Sequence, residues 1–292
     1  MTGRICMITG ANSGIGKVTA LELAKQGMEI IMVCRDNKRG EEARKEIIAQ
    51  SNNQKVHLYQ CDLGIQADIV KLVQKIQQDF TSLDILINNA GLVLTERQTT
   101  QDGYEATFAI NHLGPFLLTN LLLELLKKGK EPRIITVSSE AHRLARLNFN
   151  NLASPANYGA WVAYGNSKLA NILFTKYLAE LVSPFGITAN CLHPGVVATR
   201  FGKGNSGWIG TFFSIFSPFL ITAQKGAETT VYLATSPEVK QITGEYFNKK
   251  KPKTPSKEAL SRYNAEKLWE LSINLTNLEK HLSTVKMLSE SN

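Results

Sequence analysis

Cysteine is scarce in this sequence, and the arrangements in which cysteine binds metal are missing. The four cysteines among 292 residues form no CxxC pair, and no histidine stands at metal-ligand spacing from any of them. All four lie in or at the ends of apolar runs typical of strands: Cys6, Cys34, Cys61 and Cys191. We therefore interpret them as reduced core residues of a cytosolic protein and predict no metal site.

A hydrophobic segment long enough to cross a membrane is also lacking. The first apolar run begins at Ile5, which leaves no room for a signal peptide or an N-terminal anchor. The aromatic stretch 207–221 is shorter than the roughly 20 residues of a spanning helix, and Pro218 interrupts it. We expect a cytoplasmic protein, with peripheral membrane association as the alternative.

The excess of positive charge lacks the pattern of a nucleic-acid-binding protein. The net charge is +8, and its most concentrated run is Lys249-Lys250-Lys251-Pro252-Lys253. Such a run could contact nucleic acid or anionic lipid, but a solvated loop is the simpler interpretation. No basic helix interleaved with aromatic residues accompanies it, so we predict no nucleic-acid partner.

Short β-branched runs alternate with helical patterns along most of the chain. The strand-like runs are 5–9, 29–34, 56–60, 85–88, 133–138, 187–192 and 245–247, and helical patterns include 17–26, 39–48, 68–80, 113–126 and 169–181. This alternation implies parallel strands joined by right-handed crossovers. The sequence therefore predicts a single-domain α/β fold, a Rossmann-type doubly wound parallel sheet of about seven strands with helices on both faces. We place the domain at 1–250 and a C-terminal helical extension at 251–292.

A glycine-rich turn follows the first strand, at the sheet edge where such folds bind ligands. It reads Thr9-Gly10-Ala11-Asn12-Ser13-Gly14-Ile15-Gly16-Lys17. Glycine permits a tight turn and the close approach of a pyrophosphate, whose charge the amides and dipole of the helix start would favour. An ordinary tight turn is the alternative, and the Gly-x-x-x-Gly-x-Gly spacing differs from the usual dinucleotide fingerprint.

A tyrosine stands four residues before a lysine at three places, so the spacing alone identifies no site. These are Tyr164 with Lys168, Tyr246 with Lys250, and Tyr263 with Lys267. Tyr164 begins a long helical pattern within reach of the carboxyl end of the fifth strand, whereas the other pairs belong to the last strand and to a terminal helix. On a helix, residues four apart share one face, and an ammonium beside a phenol favours the phenolate. We therefore predict that Tyr164 and Lys168 carry the chemistry and that the other pairs pack or face solvent.

The glycine spacing resembles the TGxxxGxG turn of the short-chain dehydrogenase/reductase family, and later segments agree with that family in order. They are Asp62-Leu63, Asn88-Asn89-Ala90-Gly91, Asn111-His112-Leu113-Gly114, Ser138-Ser139, Tyr164 with Lys168, and Pro194-Gly195. The resemblance covers roughly residues 3–248. Within the family, Cys34-Arg35-Asp36, Asn111-His112-Leu113-Gly114 and His193-Pro194-Gly195 look most like the retinol dehydrogenase branch. Members of that branch often carry an N-terminal membrane anchor, which we do not find here, and this difference weakens both a retinoid substrate and a membrane location.

The resemblance implies an oxidoreductase that transfers a hydride between a nicotinamide cofactor and a carbonyl or alcohol carbon. Tyr164 would exchange a proton with the substrate oxygen, Ser139 would hydrogen-bond that oxygen, and Lys168 would hold the nicotinamide ribose. Asn111 would support a water-linked proton relay, with a helix-start or kink residue as the alternative. Ser138 competes with Ser139, but successive strand residues face opposite sides, so only one reaches the site. The family's position matches Ser139.

The cofactor contacts that the resemblance implies lie on several loops. They are Gly10, Asn12, Ser13, Gly14, Ile15, Gly16, Lys17, Arg35, Asp62, Leu63, Asn89, Ala90, Gly91, Tyr164, Lys168, Pro194, Gly195, Val197 and Thr199. Arg35 and Lys17 place two cations where the 2′-phosphate of NADP would lie, whereas Asp36 could receive the ribose 2′-hydroxyl of NAD or cap the next helix. We predict NADP(H) in preference to NAD(H).

The segment after Thr199 is unusually aromatic. Between residues 207 and 221 one apolar stripe follows helical spacing: Ile209, Phe212, Phe213 and Phe216. In the family that the chain resembles, this region is a variable lid. We therefore expect a lid at about 200–222 over a small apolar aldehyde, ketone or alcohol, retinoid or lipid-like. Core packing and an interfacial membrane contact are the alternatives.

Two functions from different classes remain open. One is an NADP(H)-dependent carbonyl reductase or alcohol dehydrogenase, and the other is a cofactor-binding regulator or scaffold of the same fold with little catalysis. The presence of both Tyr164 and Lys168 favours the enzyme. The resemblance also implies a homodimer or homotetramer, and leucines of the polar tail after about residue 274 could pack on the domain or on a second subunit.

Overall fold

The fold is built on one sheet of mainly parallel strands. The computed structural model describes residues 2–155, 157–195 and 221–289. The strands are β1 (Ile5–Thr9), β2 (Glu29–Cys34), β3 (Val56–Gln60), β4 (Ile85–Asn88), β5 (Arg133–Val137), β6 (Thr188–His193), β7 (Tyr246–Asn248) and β8 (Lys251–Pro252). They are hydrogen-bonded in the order β3-β2-β1-β4-β5-β6-β7-β8. The predicted doubly wound α/β sheet is therefore confirmed.

The strand count differs from the prediction by one. All pairings up to β7 are parallel, and β8 alone among the described strands is antiparallel. Lys249 and Lys250 between β7 and β8 both have positive φ, at 50° and 65°, which turns the chain back on itself. β8 has only two residues, which are too few to show the alternation of apolar and polar residues by which a strand is recognised in a sequence.

Helices cover both faces of the sheet. They are α1 (Gly14–Lys25), α2 (Asn37–Ser51), α3 (Gln66–Asp79), α4 (Ala106–Phe108), α5 (Gly114–Leu121), α6 (Leu123–Lys127), α7 (Ala160–Val182), α8 (Ala223–Thr235), α9 (Arg262–Leu275) and α10 (Leu278–Ser289). Successive buried strand residues divide between the two sides: Ile8 packs in the core with α1, α2 and α8, whereas Met7 packs in the core with α3, α5 and α7. This alternation follows from the pleat of a strand.

The helical pattern predicted over 113–126 is interrupted in the structure. The chain there passes from α4 through a π-helical turn, Ala109–Leu113, into α5, and Leu122 separates α5 from α6. A π turn adds a residue to the helical repeat, so side chains on either side of it face directions that a regular helix would not allow. This interruption lies beside the carboxyl ends of the strands and bears on the site.

The strand order reverses between β1 and β4, so their connections diverge and leave a crevice at their carboxyl ends. The C-terminal helices lie on the α3, α5 and α7 side, where Leu278 and Val285 of α10 are buried in the same core as Phe116 and Phe174. None of the helices in the described ranges combines the length and the apolar character that a membrane crossing requires.

Candidate active site

The glycine-rich turn is held against the end of β4 by Thr9 and Asn89. The Asn89 side chain donates to the Thr9 carbonyl oxygen at 2.8 Å, and the Thr9 hydroxyl accepts from the Asn89 and Ala90 amides at 3.0 Å each. Gly10 has a φ of 68°, and a Cβ there would lie 3.0 Å from the Ala90 Cα. A Cβ at Gly16 would collide with the Asn89 side chain. Both glycines are therefore required by the close approach of the two loops.

The same turn presents the start of α1 at the sheet edge. Gly14 begins the helix with a φ of 54°, and the Ser13 side chain makes no capping hydrogen bond to it. The first helical turn contains no acidic residue, so the helix start is electropositive. Asn12, Ser13 and Ile15 are partly exposed there. This arrangement fits the phosphates of a dinucleotide.

The two cations predicted to bind a ribose phosphate lie on different elements, one just after β2 and the other on α1. Arg35 directly follows β2 and is exposed, whereas the Lys17 ammonium forms an ion pair with Glu46 of α2. Asp36 caps α2, because its carboxylate accepts a hydrogen bond from the Arg39 amide at 3.0 Å. The sequence left two roles open for Asp36, a contact to the cofactor ribose and a helix cap, and in the structure Asp36 forms the helix cap.

Asp62 and Leu63 follow β3 at the same edge. The Asp62 carboxylate accepts from the Gly64 amide at 2.9 Å and is partly exposed. Leu63 is buried against the start of α5, where a Cβ on Gly114 would lie 3.0 Å from the Leu63 Cβ. A ligand at this edge would therefore meet the Asp62 side chain rather than that of Leu63.

The two serines after β5 point in different directions. Ser138 is buried, and its hydroxyl donates to the Lys168 carbonyl oxygen at 2.7 Å, which fastens α7 to the sheet. Ser139 is hydrogen-bonded to the Tyr164 side chain, and its hydroxyl also accepts from the Ala141 amide at 3.2 Å. The geometry therefore leaves Ser139, not Ser138, beside the phenol.

Tyr164 and Lys168 face each other across consecutive turns of α7. The Lys168 Nζ lies 5.6 Å from the centroid of the Tyr164 ring and donates to the Val137 carbonyl oxygen at 3.0 Å. Burial raises the pKa of Tyr164 to about 12, although the hydrogen bond with Ser139 opposes it. Burial also lowers the pKa of Lys168 to about 8. The sequence predicts a lowered pKa for the phenol, but the net shift is upward, because desolvation has the larger effect.

Asn111 is fully buried on the π-helical turn. Its side-chain oxygen accepts from the Leu92 amide at 2.8 Å, and its Nδ2 donates to the Leu92 carbonyl oxygen at 2.9 Å and to the Ser167 hydroxyl at 3.0 Å. The Ser167 hydroxyl in turn donates to the Tyr164 carbonyl oxygen at 2.7 Å. Asn111 is thus connected to the loop after β4 and to the helix that carries the tyrosine.

Gly91 marks the point where these groups meet. A Cβ at this position would lie 3.2 Å from the Lys168 Nζ and 3.3 Å from the Asn111 side-chain oxygen. A side chain at this position would crowd both groups, and glycine avoids that contact. The segment from Asn89 to Gly91 therefore connects the glycine-rich turn to the lysine and the asparagine.

Pro194 and Gly195 extend from the end of β6. Gly195 has a φ of 93°, and a Cβ there would lie 2.5 Å from the Ile221 Cδ1, so glycine is needed for both reasons. Val197, Thr199 and the predicted lid as far as residue 220 lie outside the described residues.

A polar cluster behind Ser139 was missed at the sequence level. The Glu140 carboxylate accepts from the Tyr246 hydroxyl at 2.6 Å, from Arg143 at 2.8 Å and from Lys253 at 3.2 Å. Burial raises the pKa of Glu140, but these hydrogen bonds outweigh it and bring the pKa down to about 2. Tyr246 and Lys253 are more than 100 residues away from Glu140 in the chain, so no local spacing could have indicated the cluster.

His142 also supports the turn at Ser139. Its Nδ1 donates to the Ser139 carbonyl oxygen at 2.7 Å, and its Nε2 accepts from the Ser256 amide at 3.1 Å. Since a backbone amide can only donate, this assigns the tautomer of a neutral imidazole. Among the described residues, no group of histidine, cysteine and acidic side chains is arranged to hold a metal ion.

Known proteins share both the sequence pattern and the fold. The family model described as short chain dehydrogenase matches residues 4–209. Mouse retinol dehydrogenase 12 is 39% identical over 277 residues, which cover 95% of this chain and 87% of the relative. Human retinol dehydrogenase 13 is 41% identical over 284 residues, which cover 95% of this chain and 86% of the relative.

Solved structures give the same result for the fold. A crystal structure of a protein from Mycobacterium paratuberculosis superposes with a TM-score of 0.76, 33% identity and 94% coverage of both chains. The Pseudomonas aeruginosa RhlG/NADP active-site complex superposes with a TM-score of 0.69 at 23% identity, covering 85% of this chain and 94% of the other. At that identity the likeness to RhlG concerns the fold alone.

Proposed function

This chain belongs to the short-chain dehydrogenase/reductase family of oxidoreductases, and we propose that it transfers a hydride between NADP(H) and the carbonyl or alcohol carbon of an apolar substrate. The observation that carries the proposal is the convergence of Ser139, Tyr164 and Lys168 at the carboxyl end of β5. The glycine-rich turn and Gly91 border the same place. Proton-transferring groups thus lie next to a backbone suited to a dinucleotide.

Tyr164 is the proposed proton donor for carbonyl reduction. Because burial raises its pKa to about 12, the phenol is protonated at neutral pH and can give its proton to a carbonyl oxygen. The Ser139 hydroxyl, already hydrogen-bonded to Tyr164, is placed to bind that same oxygen and to orient it. In alcohol oxidation the proton returns along the same path.

Lys168 is proposed to stabilise the charge that forms on Tyr164. Its pKa of about 8, lowered by burial, leaves the ammonium mainly protonated at neutral pH. As the phenol loses its proton, the positive charge 5.6 Å from the ring favours the phenolate. An ammonium has three donors, and one of them is directed at the Val137 carbonyl oxygen, so the other two can hold the hydroxyls of a nicotinamide ribose.

The cofactor supplies, when bound, the hydride that no amino-acid side chain can carry. The residues proposed to hold its pyrophosphate are those of the turn from Gly10 to Gly16, where amide groups and the helix dipole favour an anion. Arg35, which is exposed, and Lys17, which would exchange its ion pair with Glu46, support NADP(H) over NAD(H). Asp62 would border the adenine.

An apolar substrate is supported by the surroundings of Tyr164 and by the relatives. Leu144 and Val162, one shortly after Ser139 and the other shortly before Tyr164, are 95% and 65% exposed. The Trp161 ring lies 6.2 Å from that of Tyr164. Large exposed apolar side chains near a site are the kind that a lid or an apolar ligand covers. The relatives with 39% and 41% identity are named retinol dehydrogenases, which makes retinal a rational first substrate.

The test is NADPH consumption, followed by absorbance, with a panel of apolar aldehydes and ketones that includes retinal. We expect turnover by the native chain, faster with NADPH than with NADH, and none above background with Tyr164→Phe. Arg35→Ser should raise the KM for NADPH about tenfold and leave that for NADH unchanged, since one charge-assisted contact is lost. NADPH binding without turnover of any panel member would favour the cofactor-binding regulator instead.

A further inference from the structure

The π-helical turn that carries Asn111 is also bonded to the C-terminal helix α9. His112, the next residue of the turn, has its Nε2 2.9 Å from the Ser272 hydroxyl of α9. That hydroxyl also lies 2.7 Å from the Leu268 carbonyl oxygen. Which group donates in the His112–Ser272 hydrogen bond depends on the histidine tautomer, and the bond joins the turn to α9 with either assignment.

This bond lies in apolar surroundings. His112 and Ser272 are both fully buried. The rings of Phe108, Phe116 and Phe174 have centroids 5.1, 6.2 and 6.1 Å from that of His112. Burial lowers the pKa of His112 to about 4, so the imidazole is neutral at physiological pH. A buried polar nitrogen without a partner is unfavourable, and the hydrogen bond to Ser272 therefore restricts where the ring, and the turn that carries it, can lie.

Consecutive residues thus hold the π turn from opposite sides. Asn111 bonds to the Leu92 backbone and to Ser167 on the side of the candidate active site. His112 bonds to α9 on the other side. A π turn is rare and occurs mostly as a single turn within an α-helix. In this chain, side chains of the turn bond to neighbouring elements on both sides. Loss of one anchor is therefore expected to loosen the other.

Helix α9 is itself firmly attached to the domain. The Trp269 ring packs 5.0 Å from Phe116 and stacks on Phe174 at 5.9 Å, with an interplanar angle of 15°. The Leu275 carbonyl oxygen accepts from Gln66 at 2.8 Å and from the Tyr104 hydroxyl at 2.9 Å. The helix lies beyond residues 4–209, the range that the family model matches.

We propose that His112 and Ser272 are positioning residues, through which the C-terminal helix α9 holds the turn that orients Asn111 beside Lys168. The kinetic consequence rests on the proposed oxidoreductase function, whereas the structural consequence does not. The C-terminal helices are accordingly part of the support of the active site and more than a cover for the apolar face beneath them.

The test compares Ser272→Ala with Thr276→Ala. Thr276 is the matched control because it is a fully buried hydroxyl one turn further along, which donates to the Ser272 carbonyl oxygen at 2.6 Å. We expect Ser272→Ala to lower kcat about tenfold with the KM for NADPH within about twofold, and Thr276→Ala to leave both within about twofold. Hydrogen exchange of the Leu92 amide, which reports the Asn111 contact, should become about tenfold faster in Ser272→Ala only.

A second variant tests the bond from its other end. His112→Phe keeps an aromatic ring and removes the nitrogen that bonds to Ser272, so it should reproduce the Ser272→Ala result. The double variant should lose no more activity than the more severe of the two single variants. The proposal is overturned if Ser272→Ala and His112→Phe have the same kcat as Thr276→Ala and the same rate of hydrogen exchange at the Leu92 amide. If the native chain turns over no substrate, the oxidoreductase proposal fails, and the exchange of Leu92 still decides whether α9 holds the turn.

Discussion

Two tyrosine–lysine pairs in this chain have nearly the same local geometry and different surroundings. Lys168 lies 5.6 Å from the ring centroid of Tyr164, and Lys267 lies 5.6 Å from that of Tyr263. Lys168 is 2% exposed and donates to the end of β5, whereas Tyr263 is 67% exposed on the surface of α9. The helix repeat therefore determines the distance within each pair, and only the sheet edge around α7 provides a buried site.

The third pair, Tyr246 with Lys250, is divided by the hairpin between β7 and β8. The Tyr246 hydroxyl donates to Glu140, whereas Lys250 forms a surface ion pair with Glu228 at 3.0 Å. Equal spacing in the sequence thus corresponds to a buried pair, an exposed pair and a pair whose members point apart. Substitution can distinguish the three pairs, because we expect a loss of activity at Tyr164, little change at Tyr263 and a loss of stability at Tyr246.

The largest effect is expected from removing the phenol hydroxyl of the buried pair. Tyr164→Phe should lower kcat by at least about 100-fold, since proton transfer by a positioned side chain contributes roughly 10²–10⁴-fold. NADPH binding should persist, because the backbone of the glycine-rich turn is untouched. The measurement is steady-state NADPH oxidation with the best panel substrate, alongside NADPH binding by fluorescence.

The matched control is Tyr263→Phe, the same atomic change in the exposed pair. Its kcat should remain within about twofold of the native value, because surface changes away from a site have small effects. Equal losses of activity in the two variants would contradict the assignment of the chemistry to Tyr164. A loss of activity in Tyr263→Phe alone would assign the chemistry to the exposed pair instead.

A smaller effect, on stability, is expected at Tyr246. Tyr246→Phe removes the hydrogen bond to Glu140 at 2.6 Å in a fully buried position, and a bond to a charged group contributes about 2 kcal/mol. Urea unfolding at pH 7 should show this loss in the free energy of unfolding. The difference should shrink as the pH falls from about 4.5 towards 2, because the native Glu140 carboxylate, whose pKa is lowered to about 2, then loses its advantage over the unfolded chain. A free energy of unfolding unchanged at pH 7 would contradict this account.

Local patterns in the sequence were sufficient for most of the sheet. The predicted runs 5–9, 29–34, 56–60 and 85–88 coincide with β1 to β4, since buried parallel strands are short, apolar and β-branched. The alternation of strand residues also anticipates that Ser138 and Ser139 face different ways. These features depend on neighbours in the chain, which is why periodicity reveals them.

Features that depend on distant partners could not be predicted in this way. The π turn at Ala109–Leu113 is maintained by Leu92, Ser167 and Ser272, which no window around the turn contains. The predicted direction of the Tyr164 pKa shift was wrong for the same reason. The spacing of Tyr164 and Lys168 indicates attraction between opposite charges, but the degree of burial, which has the larger effect on the pKa, follows from the packing of α7 against β5.

The smallest predicted effect concerns the pH dependence of stability. Burial lowers the pKa of Lys168 from 10.5 to about 8, so between these values the unfolded chain binds more protons than the folded chain and stability rises with pH. Lys168→Met lacks this gain. The free energy of unfolding of the native chain should therefore increase relative to Lys168→Met by on the order of 1 kcal/mol from pH 8 to pH 9.5. Lys267→Met, in the exposed pair, should follow the native curve in parallel, and a Lys168→Met curve that does the same would show that burial does not perturb the lysine.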